Sequence, residues 1–184
     1  LYLCKTQKII TNNQTTQINV EYSSEELSGE WSKYKAKITL ADSKSIIEGT
    51  GVESNDNTIT INAGGTYYIK GSISDASIVI DASKDEDVQL VLDNCSITSL
   101  KPSVINGVKC NKLTITLADN SENTLTDNSN YTVFTDTEDS EPNGTLFTKS
   151  DLVINGNGKL IINANYEDGI VSKDGLKIIN ANIE

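Results

Sequence analysis

The residues best suited to chemistry cluster near the end of the 184-residue sequence: Asn165, Glu167, Asp168, Lys173 and Asp174. Asp168 and Asp174 stand six positions apart and flank Gly169-Ile170-Val171-Ser172-Lys173. If Ile170 points inward, both carboxylates fall near one corner of the chain. With backbone carbonyls and water they could then assemble the roughly six to eight oxygens that calcium takes. Glu167 and Asn165 could add oxygens. The competing reading is two plain turns, Asp168-Gly169 and Asp174-Gly175. Lys173 beside Asp174 is a weak candidate for a catalytic base, its pKa lowered by a bound cation. It could equally pair with the carboxylate of an acidic sugar, or stay solvated.

Composition removes other chemistry. There is no His and no Arg, so there is no imidazole base, no Ser-His-Asp triad and no guanidinium clamp on anions. A net charge of −11 makes nucleic acid and anionic membranes poor partners and divalent cations good ones. No apolar run approaches the ~18 residues that span a bilayer. The aromatics that could stack on a sugar face are few: Tyr67, Tyr68, Tyr131, Tyr166, Phe134 and Trp31. Tyr166 lies beside the acidic cluster. Tyr67 fits a core position, which turns Tyr68 outward, and Trp31 reads as a cap over the end of the domain. Of the three cysteines, Cys95 and Cys110 read as small buried fillers and Cys4 as a free thiol near the terminus.

The elements that must position these residues are short strands. Residues 1–36 are polar and lack a clear period, apart from a helix expected at about Ser24–Glu30 with Ser23 or Ser24 as its cap. From Lys37 onward, runs of three to five residues alternate β-branched and polar side chains between Asn, Asp and Gly. The pairs Tyr67/Ile69, Leu90/Leu92, Ile115/Leu117, Leu152/Ile154 and Leu176/Ile178 recur at steps of 23, 25, 37 and 24. The long step coincides with an acidic stretch, Thr135–Gly144, that reads as an insertion. A second row, Ile73, Ile97, Leu125, Leu160 and Ile183, follows the first. A repeat of about two dozen residues with short strands and no helix is expected to wind as a right-handed parallel β-helix. Stacked aliphatic ladders account for 22 Ile, and sharp corners for 20 Asn. The chain stops in mid-repeat, so the helix is expected to be truncated at that end.

Five stretches resemble a known family in order and spacing. They are Ala63–Gly71, Val88–Asn94, Ile115–Asp127, Leu146–Leu160 and Asn165–Leu176. They look like the carbohydrate-binding β-helix family of clostridial-type cell-surface proteins, which bind cellulose and polygalacturonate. The resemblance implies a pectate-lyase-like fold, secretion, calcium, and binding rather than established catalysis. Family members often carry Asp-Asp where this chain has Asp174-Gly175, so one potential ligand is missing.

The sequence is therefore expected to hold a leader or cap at 1–36 and an all-β carbohydrate-binding domain at 37–184. The expected function is an extracellular or bacterial cell-surface module for cellulose-like or pectic polysaccharide, working as a monomer or within a longer chain. Sugar contacts are expected from Tyr166, Lys173, Tyr131 and Tyr68, and calcium contacts from Asp168, Asp174, Glu167 and Asn165. The alternatives are a calcium-dependent polysaccharide lyase with Lys173 as base, and a structural or adhesive surface repeat.

Overall fold

A computed structural model describes residues 3–11, 14–129 and 141–184, with side chains from residue 20 onward. The protein is all-β, with one short helix among the described residues. The polar leader holds more structure than its composition suggests. Strands β1 (Leu3–Thr11) and β2 (Gln14–Tyr22) pair antiparallel. Helix α1 (Ser24–Ser28) follows. Ser23 caps it: the Ser23 hydroxyl accepts the Glu26 N–H at 3.2 Å, and Glu26 Oε2 accepts the Ser23 N–H at 3.0 Å. Gly29 ends the helix in the left-handed region, φ 61°, where a side chain would be strained.

The remaining strands run in chain order. They begin with β3 (Ala36–Leu40), β4 (Ile46–Gly49), β5 (Val52–Asn55), β6 (Thr58–Ile61), β7 (Gly65–Ile73) and β8 (Ser77–Asp81). Next come β9 (Asp87–Thr98), β10 (Ile105–Lys109), β11 (Lys112–Leu117) and β12 (Glu122–Thr126). The last six are β13 (Gly144–Thr148), β14 (Asp151–Gly156), β15 (Lys159–Asn163), β16 (Asp168–Ser172), β17 (Leu176–Ile179) and β18 (Asn182–Ile183). They form two mixed sheets, of six and ten strands. The antiparallel pairs within these two sheets are β3 with β4 and β5 with β6. All other pairings in them are parallel, each strand hydrogen-bonding its counterpart one repeat onward.

The register refines the expected rows. Tyr67 opposes Leu90, and Leu90 opposes Ile115, as the spacing predicts. Ile115, however, opposes Ile154 rather than Leu152, so the long step is 39 residues and not 37. The second row slips by the same two positions: Leu125 opposes Ile162, and Leu160 opposes Asn123. A third row, Ile59, Ile78, Ile105, Leu146 and Ile170, also stacks in register. Its inward neighbours, Ile61 and Ile80, give way to Gly107, Thr148 and Ser172, which hides the period in the sequence.

Alternation along each strand puts the aliphatics in one continuous core that includes Ile38, Ile69, Leu90, Leu92, Ile115 and Ile154. Burying each such side chain contributes about 1.5–3 kcal/mol. Asn123 is one of the buried polar residues, opposite Leu160 in the second row. Its Oδ1 accepts the Cys95 N–H at 2.9 Å, and its Nδ2 donates to Ser121 Oγ and the Lys159 carbonyl. Asn94, at φ 56°, makes the turn that leaves the Cys95 N–H in need of that acceptor. Cys95 and Cys110 are buried and free, as expected for fillers, and burial pushes the Cys95 thiol up to about 12. Among the described residues no helix is long and apolar enough to cross a membrane.

Tyr67 is fully buried, and its hydroxyl donates to the Ala63 carbonyl at 2.6 Å. Burial first, and then the charge of Glu86, raises its pKa from 10 to about 12. An unfolded chain would therefore lose this proton first. The stability Tyr67 contributes is fully present below pH 10 and is lost as pH rises through about 12. Melting temperature is expected to stay level from neutrality to about pH 9.5, then fall steeply. A level profile through pH 11 would contradict this assignment.

Candidate functional site

Tyr68 follows Tyr67 on β7 and so projects from the opposite, outer face. Trp31 and Tyr34 reach it from the segment between α1 and β3. The Trp31 ring stacks on Tyr68 at 5.2 Å between centroids and 29°, and the Tyr34 ring at 5.7 Å and 26°. Tyr34 remains 47% exposed, and Trp31 and Tyr68 are half-buried. The Tyr68 hydroxyl donates to Asp93 Oδ2. Burial first, then that hydrogen bond and the Asp93 charge, pushes the phenol up to about 12.

The segment carrying Trp31 is held across the sheet like a strap. Glu26 accepts Lys177 Nζ at 3.0 Å from β17. The Glu26 carbonyl accepts Asn155 Nδ2 at 3.1 Å from β14. The Lys35 N–H donates to the Thr66 carbonyl at 2.7 Å, which leads the chain into β3. Under the strap, Thr66, Gln89, Thr116 and Asn155 form a hydrogen-bonded line across β7, β9, β11 and β14, with distances of 2.7–2.9 Å. Beside the strap runs a groove of about 460 Å³, lined among others by Trp31, Tyr68, Asp93, Asp119 and Asn157. Apolar ring faces next to carboxylate and amide groups suit a ligand with both C–H faces and hydroxyls.

The residues expected from the sequence are distributed differently. Tyr68 is in this groove. Tyr166 is half-buried and lies outside it, just ahead of β16. Tyr131 lies outside the described residues, as does most of the acidic stretch. Lys173 Nζ is ion-paired to Glu141 at 3.0 Å, and Glu141 also holds Lys149 at 2.9 Å. Lys149 first, then Lys173, holds the Glu141 carboxyl below its ordinary range.

Asp168 and Asp174 do not share a corner. Asp168 opens β16, and Asp174 comes two residues after its end. Extended chain at ~3.3 Å per residue puts those positions well over ~10 Å apart. Ile170 does face the core, but the strand that carries it separates the two carboxylates. The Asn165 side-chain amide donates to the Asp127 carbonyl at 2.8 Å, and its N–H donates to Asp127 Oδ1 at 2.5 Å. Glu167 is exposed in the left-handed region, φ 36°. Among the described residues no three Asp, Glu, Cys or His side chains converge to hold an ion. The set Asn165, Glu167, Asp168 and Asp174 does not fit a single calcium cage.

The sequence reading missed Trp31 and Tyr34 as partners of Tyr68. Trp31-x-x-Tyr34 directly before the first core strand was the available signal.

The all-β scaffold has a counterpart among solved structures. A solved structure described as the polysaccharide lyase-like protein from C. thermocellum, gadolinium derivative, matches with a TM-score of 0.75 and 34% identity. The match covers 81% of this chain and 61% of that one. The chain belongs to the family described as carbohydrate-binding domain-containing protein, which matches residues 55–184. A relative of that description from Acetivibrio thermocellus is 36% identical over 133 residues, 72% of this chain. The match spans 46% of that relative's length. Tyr68, Asp93, Asp119 and Asn157 lie inside the family match, whereas Trp31 and Tyr34 precede it.

Proposed function

We propose that this chain is a polysaccharide-binding module of an extracellular or cell-surface protein, holding its glycan on the Trp31–Tyr68–Tyr34 stack. The observation that carries the reading is this partly exposed stack, two of whose rings, Trp31 and Tyr68, line a polar groove. Family membership and the polysaccharide lyase-like neighbour support it. The strands are read as the coils of a right-handed parallel β-helix, supported by three rows of parallel pairs in register. The domain is read as 37–184, with residues 1–36 supplying a cap that also brings Trp31 and Tyr34 to the site.

Cellulose-like glycans suit the stack directly, because ring faces need no ion. Pectic chains carry the same sign of charge as a protein at −11, so their retention requires a bridging divalent cation such as calcium. Lys173, held in an ion pair, serves as a structural cation rather than a lyase base.

Affinity electrophoresis in gels containing hydroxyethylcellulose, xylan or polygalacturonate, with and without chelator, tests the reading. Retention by hydroxyethylcellulose is expected to be indifferent to chelator and about ten-fold weaker in Trp31→Ala, the effect of losing one stacking partner worth ~1.4 kcal/mol. No unsaturated, ultraviolet-absorbing product is expected from polygalacturonate. Equal mobility in all gels would remove the binding function; product formation lost in Lys173→Ala would establish the lyase instead.

A further inference from the structure

The geometry points to a glycan track that runs across the strands, one sugar per strand, with Asp93, Asp119 and Asn157 reading the hydroxyls of a neutral chain. This deepens the polysaccharide-binding reading and rests on it. Tyr68 is on β7, Asp93 on β9, Asp119 just after β11 and Asn157 just after β14. Those strands are consecutive hydrogen-bonded neighbours: Ile69 opposes Leu92, Leu92 opposes Leu117, and Leu117 opposes Gly156. The groove beside the strap touches all four. Neighbouring strands are ~4.8 Å apart, close to the length of one pyranose in an extended β-linked chain. A glycan lying along the groove therefore meets the aromatic stack at one sugar and a polar side chain at each of the next three.

The polar side chains have capacity left. Asp119 Oδ1 accepts Asn157 Nδ2 at 3.0 Å, and Asp93 accepts Asn94 Nδ2 at 2.8 Å besides the Tyr68 hydroxyl. A carboxylate offers about four acceptor sites, so each retains room for sugar hydroxyls. Glu30 adds a third carboxylate to the groove, and no Lys lines it. Hydroxyl donors are welcome there, and uronate carboxylates are repelled. This selects neutral glycan at this site.

Two measurements test the track. With β-1,4-glucose oligomers as ligands in titration calorimetry, affinity is expected to climb with length and level off at about four sugars, one per strand. In hydroxyethylcellulose gels, Asp119→Ala and Asn157→Ala are each expected to weaken retention about five-fold, with Asp85→Asn unchanged. Both residues are exposed, and their melting curves serve as the folding control. Asp119→Lys is expected to gain retention by polygalacturonate in chelator while losing it on hydroxyethylcellulose. If Trp31→Ala weakens binding but Asp119→Ala and Asn157→Ala match the wild type, the track is wrong and the aromatic site stands. If the wild type binds polygalacturonate in chelator as well as the neutral polymer, the neutral assignment falls. If no glycan is retained, both readings fall.

Discussion

Gly156→Ala is expected to lower stability by about 3 kcal/mol, and melting temperature by roughly 10 °C for a chain of this size. Gly156 sits at φ 98°, where only glycine is at ease. A methyl added there would lie 2.2 Å from the Leu117 carbonyl oxygen and 2.7 Å from the Leu117 nitrogen. Both are backbone atoms of the neighbouring strand, so no rotamer relieves the overlap. The same residue receives the strap: a Cβ on Gly29 would come within 3.3 Å of Gly156 Cα. Displacing Gly156 therefore disturbs β11 on one side and the Trp31 segment on the other. Gly169→Ala is the contrast, since its added methyl would meet only Ile162 and Ala164 side chains at 3.4 Å or more. Thermal unfolding of the two variants distinguishes them; a Gly156→Ala protein that melts with the wild type would refute the packing argument.

The second large effect is expected at Glu26, buried at 7% exposure. Its carboxylate accepts the Ser23 N–H and Lys177 Nζ, with Lys112 Nζ at 4.0 Å. Glu26→Ala removes half of the capping box and strands the Ser23 donor. Lys177 is about one-third exposed and rehydrates, so the loss is smaller than for a fully buried pair. A cost of about 2 kcal/mol follows from the lost cap and the weakened pair. The consequence for binding is larger than for stability. Without its anchor the strap no longer presents Trp31 and Tyr34 to Tyr68, and hydroxyethylcellulose retention is expected to fall as far as in Trp31→Ala. Glu26→Gln keeps the acceptor for Ser23 and is expected to lie between. Unchanged melting and unchanged retention in Glu26→Ala would show that the strap is held elsewhere.

Much of this architecture is readable from the residues. Tyr67, Leu90 and Ile115 recur because each fills the same inward position of a paired strand. The capping rule places α1 at about Ser24–Glu30 with Ser23 or Ser24 as its cap, against the observed Ser24–Ser28 capped by Ser23. The two-residue slip at Leu152 has a physical cause. Leu152 and Ile154 are both inward aliphatics of one strand, and a period of two cannot say which of them opposes Ile115. The β1–β2 hairpin is hidden because the alternation Ile18, Val20, Tyr22 is short and is preceded by the unpatterned Gln14-Thr15-Thr16-Gln17, while β1 spreads its apolar residues over both parities. The aromatic site depends on residues 37 and 34 positions apart meeting across a sheet, a proximity that no local spacing encodes. The Asp168–Asp174 pairing meets the opposite difficulty: the two residues are near in sequence, but strand β16 runs between them.

A stack of repeats in which each strand touches mainly its neighbours would ordinarily fray from its ends, one layer at a time. The strap changes that. Through Lys177, Asn155 and Thr66 it ties β17 to β14 and β7 along a single short stretch of backbone. Opening an outer layer at β17 then also breaks a link that reaches the opposite part of the sheet. Such a tie-rod couples the layers, so amide exchange in β17 and β7 should report one shared opening rather than a gradient along the molecule.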